Sequence, residues 1–137
     1  MDNERILSID YGTKKIGLAI SDEDLAFALK LPILYVDTNT NLIEKINEVL
    51  EKNGTNIILI GYPLNSDFEK TKICFEIDEF IESLEKNNDS LKIVKINETL
   101  TSKQAKINHH YSKFKSKHLD SEAARIMLQE YLDHKIN

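Results

Sequence analysis

The period of apolar positions along the chain changes twice, and each change marks a different kind of element. Arg5-Ile6-Leu7-Ser8-Ile9 is an apolar run that stops at Asp10, and a second Ile-rich run covers residues 15 to 22. Two such runs about a turn containing Gly12 read as a β-hairpin over residues 5 to 10 and 15 to 22. In the second strand Ile16, Leu18 and Ile20 take one face and Gly17, Ala19 and Ser21 the other. The small face would let another backbone or side chain approach closely. A third strand spans Ala26 to Tyr35, where Pro32 points to an edge or a bulge.

The spacing then shifts from two to 3.6. Leu42, Ile43, Ile46, Val49 and Leu50 share one face of a helix that Gly54 can end, and Ile57-Ile58-Leu59-Ile60-Gly61 reads as a fully buried strand. The alternation repeats, with Ile73, Ile77, Phe80, Ile81 and Leu84 on a second helix. Leu91, Ile93, Val94 and Ile96 form a fifth strand that stops at Asn97-Glu98. Thr101 or Ser102 can cap a short helix, and Asp120 opens the last one, sharing a face with Ala123, Ala124, Met127 and Tyr131.

A three-strand meander followed by alternating helix and strand predicts an α/β fold with one five-stranded mixed sheet and helices on both faces. Strands one, four and five would be parallel, joined by right-handed crossovers, so their carboxyl ends share an edge. Asp10, the segment Gly61-Tyr62-Pro63-Leu64-Asn65 and Glu98 would meet there. With 137 residues, and no repeat, low-complexity tract or linker, the chain is expected to form a single domain over residues 1–137.

Charge and composition narrow the setting. No run approaches the roughly 18 to 20 apolar residues of a membrane span, and Met1-Asp2-Asn3-Glu4 lacks the order of a signal peptide, so a cytoplasmic protein is expected. The lone Cys74 has no internal disulfide partner and reads as a small buried hydrophobe in a helix. The formal net charge of −5 argues against general adhesion to nucleic acid, but it conceals a local exception. Residues 101 to 118 contain no Asp or Glu, while Lys103, Lys106, Lys113, Lys115 and Lys117 occur with His109, His110, His118, Tyr111 and Phe114. This segment is either a solvated face or a nucleic-acid contact, and it lies between two candidate acids, Glu98 and Asp120.

Asp10 ends a core strand, and burying an unpartnered charge costs several kcal/mol, roughly. A turn hydrogen bond or a cation would account for it. Taken singly, Asp120 reads first as a helix cap, the commoner use of an initial Asp. Together, Asp10, Glu98 and Asp120 would repel one another unless a divalent cation neutralised them. Carboxylate oxygens suit Mg²⁺ or Mn²⁺, and two such ions about 4 Å apart can activate water and stabilise a leaving oxygen in phosphodiester cleavage. No His or Cys cluster offers a zinc site. The turn amides of Gly12 and Thr13, with Lys14 or Lys15, could cradle a phosphate, or form an ordinary exposed hairpin turn.

Ile9-Asp10-Tyr11-Gly12-Thr13-Lys14-Lys15-Ile16-Gly17-Leu18-Ala19, Gly61-Tyr62-Pro63-Leu64-Asn65, Glu98-Thr99-Leu100-Thr101-Ser102, and Asp120-Ser121-Glu122-Ala123-Ala124 with Leu128-Gln129-Glu130-Tyr131-Leu132 resemble, in order, the motifs of the YqgF (RuvX) family. That family is similar to Holliday-junction resolvases of the RNase H-like superfamily. The resemblance implies a metal-dependent nuclease maturing the 5′ end of pre-16S rRNA, with pre-16S rRNA or a pre-ribosomal particle as partner. It also implies that Asp10, Glu98 and Asp120 are the catalytic acids. The chain departs from the family pattern at Asn97-Glu98-Thr99, where Asp-Glu-Arg is usual, and at Ser66-Asp67-Phe68-Glu69-Lys70, which lacks the usual Gly and Arg. Lys does not reproduce the bidentate fork of Arg, so these departures bear on substrate grip. Other readings are a DNA-junction resolvase, an ATP-binding lobe of the actin or sugar-kinase type, and a ribosome-assembly module that has lost activity.

Overall fold

The computed structural model describes residues 4–39, 41–97 and 121–135. Strands β1 (Ile6–Asp10) and β2 (Lys15–Ser21) form the expected hairpin, with Leu7 opposite Ile20 and Asp10 opposite Gly17. The turn between them needs Gly12, because a Cβ there would collide with the Lys15 carbonyl oxygen. Strand β3 (Ala28–Tyr35) pairs antiparallel with β2 at the sheet edge. Its register slips between the pairs Ile16–Leu34 and Leu18–Leu31, so β3 carries one extra residue beside Pro32, which has no N–H to place in a ladder.

Strands β4 (Ile57–Tyr62) and β5 (Lys92–Asn97) run parallel to β1, and among the described residues the sheet order is β3-β2-β1-β4-β5. Helices α1 (Leu42–Asn53) and α2 (Lys72–Lys86) make the crossovers. Helix α1 is capped by the Asn41 side chain, which accepts from the Glu44 N–H, and it ends where Gly54 takes a φ of 62°. Ile46 and Leu50 of α1 and Cys74, Ile77, Phe80, Ile81 and Leu84 of α2 bury against Leu7, Ile9, Ile58 and Ile60. Each such side chain contributes about 1.5 to 3 kcal/mol when fully buried. Among the described residues no helix is long and apolar enough to cross a membrane.

The opposite face of the sheet carries α3 (Glu122–Lys135), whose Ala124, Met127, Leu128 and Leu132 pack on Ile6, Ala19 and Leu59. Its described start and its buried side differ from the sequence expectation. The helix begins at Glu122, and Ala123 and Tyr131 are only half-buried while Leu128 and Leu132 are fully covered. The cause is Ser121. Its hydroxyl accepts from the Leu18 N–H at 2.9 Å and donates to the Leu31 carbonyl at 2.7 Å, closing the β2–β3 ladder where the register slips. That bond places Ser121 on the buried side at the start of the helix. Asp120 itself lies outside the described residues.

Further polar ties fix α3 along the sheet. The Ser8 hydroxyl donates to the Ala124 carbonyl at 2.9 Å, and the Gln129 amide accepts from the Ala28 N–H and donates to the Ala26 carbonyl, each at 2.9 Å. Gly17 lies where the helix approaches the sheet most nearly. A Cβ there would lie 3.6 Å from the Asp10 Cβ, 3.6 Å from the Ser121 Cα and 3.7 Å from the Ala124 Cβ. A methyl group would thus make ordinary contact, and the γ-methyls of a branched side chain would have to be accommodated among Asp10, Ser121 and Ala124. Urea unfolding should find Gly17→Ala within about 1 kcal/mol of the native protein and Gly17→Val destabilised by about 1 to 3 kcal/mol. Equal midpoints for the two variants would refute the close docking of α3.

Candidate functional site

The carboxyl ends of the three parallel strands meet at one edge. Ile9 stands opposite Ile60, Ile60 opposite Lys95, and Tyr62 opposite Asn97, so Asp10, Tyr62 and Asn97 end neighbouring strands. Asp10 is half-buried on the α3 side. Its Cβ and the Cα of Ser121 each come within 3.6 Å of the point a Gly17 Cβ would occupy. The end of β1 and the start of α3 therefore adjoin across the gap that Gly17 leaves.

Of the three candidate acids, Asp10 is described, whereas Glu98 and Asp120 lie outside the described residues. Glu98 follows Asn97 directly, and Asp120 directly precedes Ser121. Among the described residues no three His, Cys, Asp or Glu side chains gather as a metal-ligating group. Gly12 is half-buried in the hairpin turn, and Thr13, Lys14 and Lys15 are exposed beside it. Lys103, Lys106, Lys113, Lys115 and Lys117 lie outside the described residues.

On the other side of the same edge the strands present larger groups. The ring of Tyr11 packs on Phe80 with centroids 5.2 Å apart, and burial, with Glu76 and Glu79 nearby, pushes its phenol above the ordinary range. Tyr62 donates its hydroxyl to both oxygens of Asp78, at 3.0 and 2.9 Å. Lys70 and Lys95 also reach Asp78, at 3.0 and 3.2 Å. Burial pushes the Asp78 carboxyl up, but Lys70, Tyr62 and Lys95 outweigh it and hold the group below its ordinary value. Burial and then the Asp78 hydrogen bond push the Tyr62 phenol up. Periodicity gives no signal for this group, since β4, α2 and β5 each contribute part of it.

A second ion-pair group anchors the first turn of α3. Glu122 is nearly buried and binds Arg125 on its own helix and Lys30 of β3, the latter at 3.3 Å. Burial pushes its carboxyl up, and Arg125 and Lys30 more than offset that, leaving it below the ordinary value of 4.5.

Comparison with known proteins gives a consistent result. The model of the RuvX family, described as a Holliday junction resolvase, matches residues 4–134. A protein of Mycoplasmopsis synoviae, named as a candidate pre-16S rRNA nuclease, is 46% identical over 134 residues, covering 94% of this chain and 97% of its own. A protein of Maridesulfovibrio salexigens with the same name is 36% identical over 132 residues, covering 93% and 97%. Among solved structures, the fowlpox virus resolvase in complex with Holliday junction DNA superposes with a TM-score of 0.55 at 16% identity, covering 93% of this chain and 98% of that one. That likeness is one of fold, and the fold is RNase H-like.

The depressed carboxyl of Glu122 carries a pH dependence with a definite sign. Its stabilising effect is complete above the ordinary glutamate value and is lost as pH falls through the lower folded value. Unfolding free energies of the native protein and Glu122→Gln should differ by about 1 kcal/mol at neutral pH, the scale of partly exposed ion pairs, and converge as pH falls below the ordinary glutamate value and through the lower folded one. A difference that stays constant across this range would contradict the assignment.

Proposed function

The chain belongs to the RuvX family, and we propose that it is a metal-dependent nuclease hydrolysing phosphodiester bonds in structured RNA, with the 5′ end of pre-16S rRNA as its substrate. The substrate comes from the names of its relatives, which this chain matches over nearly the whole of both lengths. Such a substrate puts its work in the bacterial cytoplasm. The observation that carries the site is the docking of α3 at Ser121, across Gly17 from Asp10. Chain connectivity then ties Asp120 to that docked residue, and ties Glu98 to the end of β5 at the same sheet edge.

The donor chemistry fits a hard divalent cation. Asp10 offers carboxylate oxygen in a half-buried position among the small residues Gly17, Ser121 and Ala124, and the thiol of Cys74 is buried in α2, across the sheet. Asp10 would be the central ligand of a pair of Mg²⁺ or Mn²⁺ ions, with Glu98 and Asp120 completing the set. When bound, such ions neutralise the carboxylates, polarise phosphoryl oxygens and acidify water. The residues of the chain would do the rest. The amides of Gly12 and Thr13, with Lys14 or Lys15, would orient the scissile phosphate beside Asp10. Lys103, Lys106, Lys113, Lys115 and Lys117 would hold the flanking backbone through salt-dependent contacts of low sequence specificity.

Purified protein incubated with Mg²⁺ or Mn²⁺ and a pre-16S 5′ fragment should cleave it. Asp10→Asn should lower the rate at least about 100-fold, because several kcal/mol of transition-state stabilisation corresponds to two or more tenfold steps. Equal cleavage by the two proteins, or none with either metal, would refute the catalytic reading. Preference for a four-way DNA junction in the same assay would instead favour the activity by which the family model is described.

A further inference from the structure

We propose that Lys70, Phe75 and Lys95, arranged around Asp78 and Tyr62 on the α2 side of the sheet edge, form a contact surface for a single-stranded segment of nucleic acid. The inference rests on the nuclease reading for its choice of ligand, and on separate observations for its location. Two ammonium groups share one carboxylate, Lys70 at 3.0 Å and Lys95 at 3.2 Å from Asp78. These three groups alone sum to one formal positive charge, within a loop and helix that also carry Asp67, Glu69, Glu76 and Glu79. Both lysine side chains remain about half exposed, at 49% and 45%, and an ammonium has three donors, so each keeps capacity for a phosphate oxygen.

The aromatic neighbours supply the second element of single-strand recognition. The Lys95 ammonium lies 4.6 Å from the centroid of the Tyr62 ring, which fixes it in place, and Lys70 lies 5.4 Å from that of Phe75. Phe75 is 58% exposed on the outer side of α2, whose inner side buries Cys74, Ile77 and Phe80, so its ring has no part in the core. An exposed ring beside a held ammonium offers a face for base stacking next to a site for phosphate, and this pairing tolerates any base. Phe68, 64% exposed, is a second ring on the loop that leads to Lys70. Glu76 and Glu79 follow on the same helix, so a phosphate would have to lie on the Lys70 and Lys95 side of Phe75.

The position gives the surface a use. Tyr62 ends β4 and Lys95 lies two residues before the end of β5, at the same edge as Asp10. Asp10 faces α3, whereas Tyr62 packs with the α2 side. A strand crossing this edge would have one part beside Asp10 and the next on the lysines and Phe75.

Binding of a fluorescein-labelled 12-nucleotide single-stranded RNA, measured by anisotropy in EDTA over a range of KCl concentrations, reads this surface without cleavage. Lys70→Gln with Lys95→Gln should weaken binding about tenfold or more and reduce the salt slope by about 1.4, or about 0.7 for each phosphate that is no longer neutralised. Phe75→Ala should weaken binding about fivefold or more and leave the slope unchanged. Thermal melts show whether each variant is folded at the assay temperature; Phe75→Ala should match the native protein, and the double lysine variant should melt lower because Asp78 loses two partners. Unchanged affinity and slope in the folded variants, or no RNA binding by the native protein, would overturn the proposal. So would equal binding of polyglutamate with no effect of Phe75→Ala, which would assign the surface to acidic peptides. Absence of nuclease activity would leave this result standing, and unchanged binding by the folded variants would leave the nuclease reading intact, whereas no RNA binding by the native protein would count against both.

Discussion

The Ser121 hydroxyl, set between the Leu18 N–H and the Leu31 carbonyl, is the constraint on which the arrangement of the sheet edge depends. Apolar burial holds α3 against the sheet but is non-directional, so Leu128 and Leu132 alone would allow the helix to slide or turn. A buried hydroxyl with two backbone partners does not allow this. Displacing it would leave a donor and an acceptor unsatisfied in the interior, at a cost of about 1 to 3 kcal/mol for each group. The slip in register that Pro32 accompanies on β3 therefore serves as the attachment point for the last helix. Gly17 lies beside that attachment, where little beyond a methyl group separates strand from helix.

From this one attachment the two faces of the edge acquire different characters. On the α3 side the strands offer Ser8, Gly17 and Ala19, and the helix answers with Ser121 and Ala124, so Asp10 lies among small groups. On the α2 side Tyr11, Tyr62 and Phe80 fill the space, and Asp78 collects two lysines and a phenol. Strand alternation separates these environments although their residues are close in sequence, since Asp10 and Tyr11 are adjacent and point to opposite faces. The proposed carboxylate site and the proposed strand-holding surface are thus two sides of one edge.

Much of this is legible in the pattern of residues, because it follows from local rules. The alternation of Ile16, Leu18 and Ile20 with Gly17, Ala19 and Ser21 predicts which face a helix can approach, and α3 occupies that face. Gly54 ends α1 in a left-handed conformation, and Pro32 marks both an edge strand and a bulge. The parallel pairing of β1, β4 and β5 follows from the alternation of strand and helix. The role of Ser121 is not legible, since a serine before a helix ordinarily caps it, and this hydroxyl instead bonds to strands about 90 and 103 residues away. The Tyr62, Lys70, Asp78 and Lys95 group escapes sequence reasoning for a similar reason. Its charges come from a loop, a helix and a strand, and only the packing of α2 on the sheet brings them together. Asp10 is legible as an acid closing a core strand; Glu98 and Asp120 are legible from motif and position and lie outside the described residues.

The central claim is that the docking of α3 makes Asp10 part of a divalent-metal site with the acids that flank Asn97 and Ser121. The most direct measurement is anomalous diffraction from crystals grown with Mn²⁺, beside crystals of Asp10→Asn prepared in the same way. The account predicts a manganese peak in contact with the carboxylates of Asp10, Glu98 and Asp120 in the native protein, weakened or absent in the variant. Manganese bound only away from Asp10, or an undiminished peak in Asp10→Asn, would contradict it.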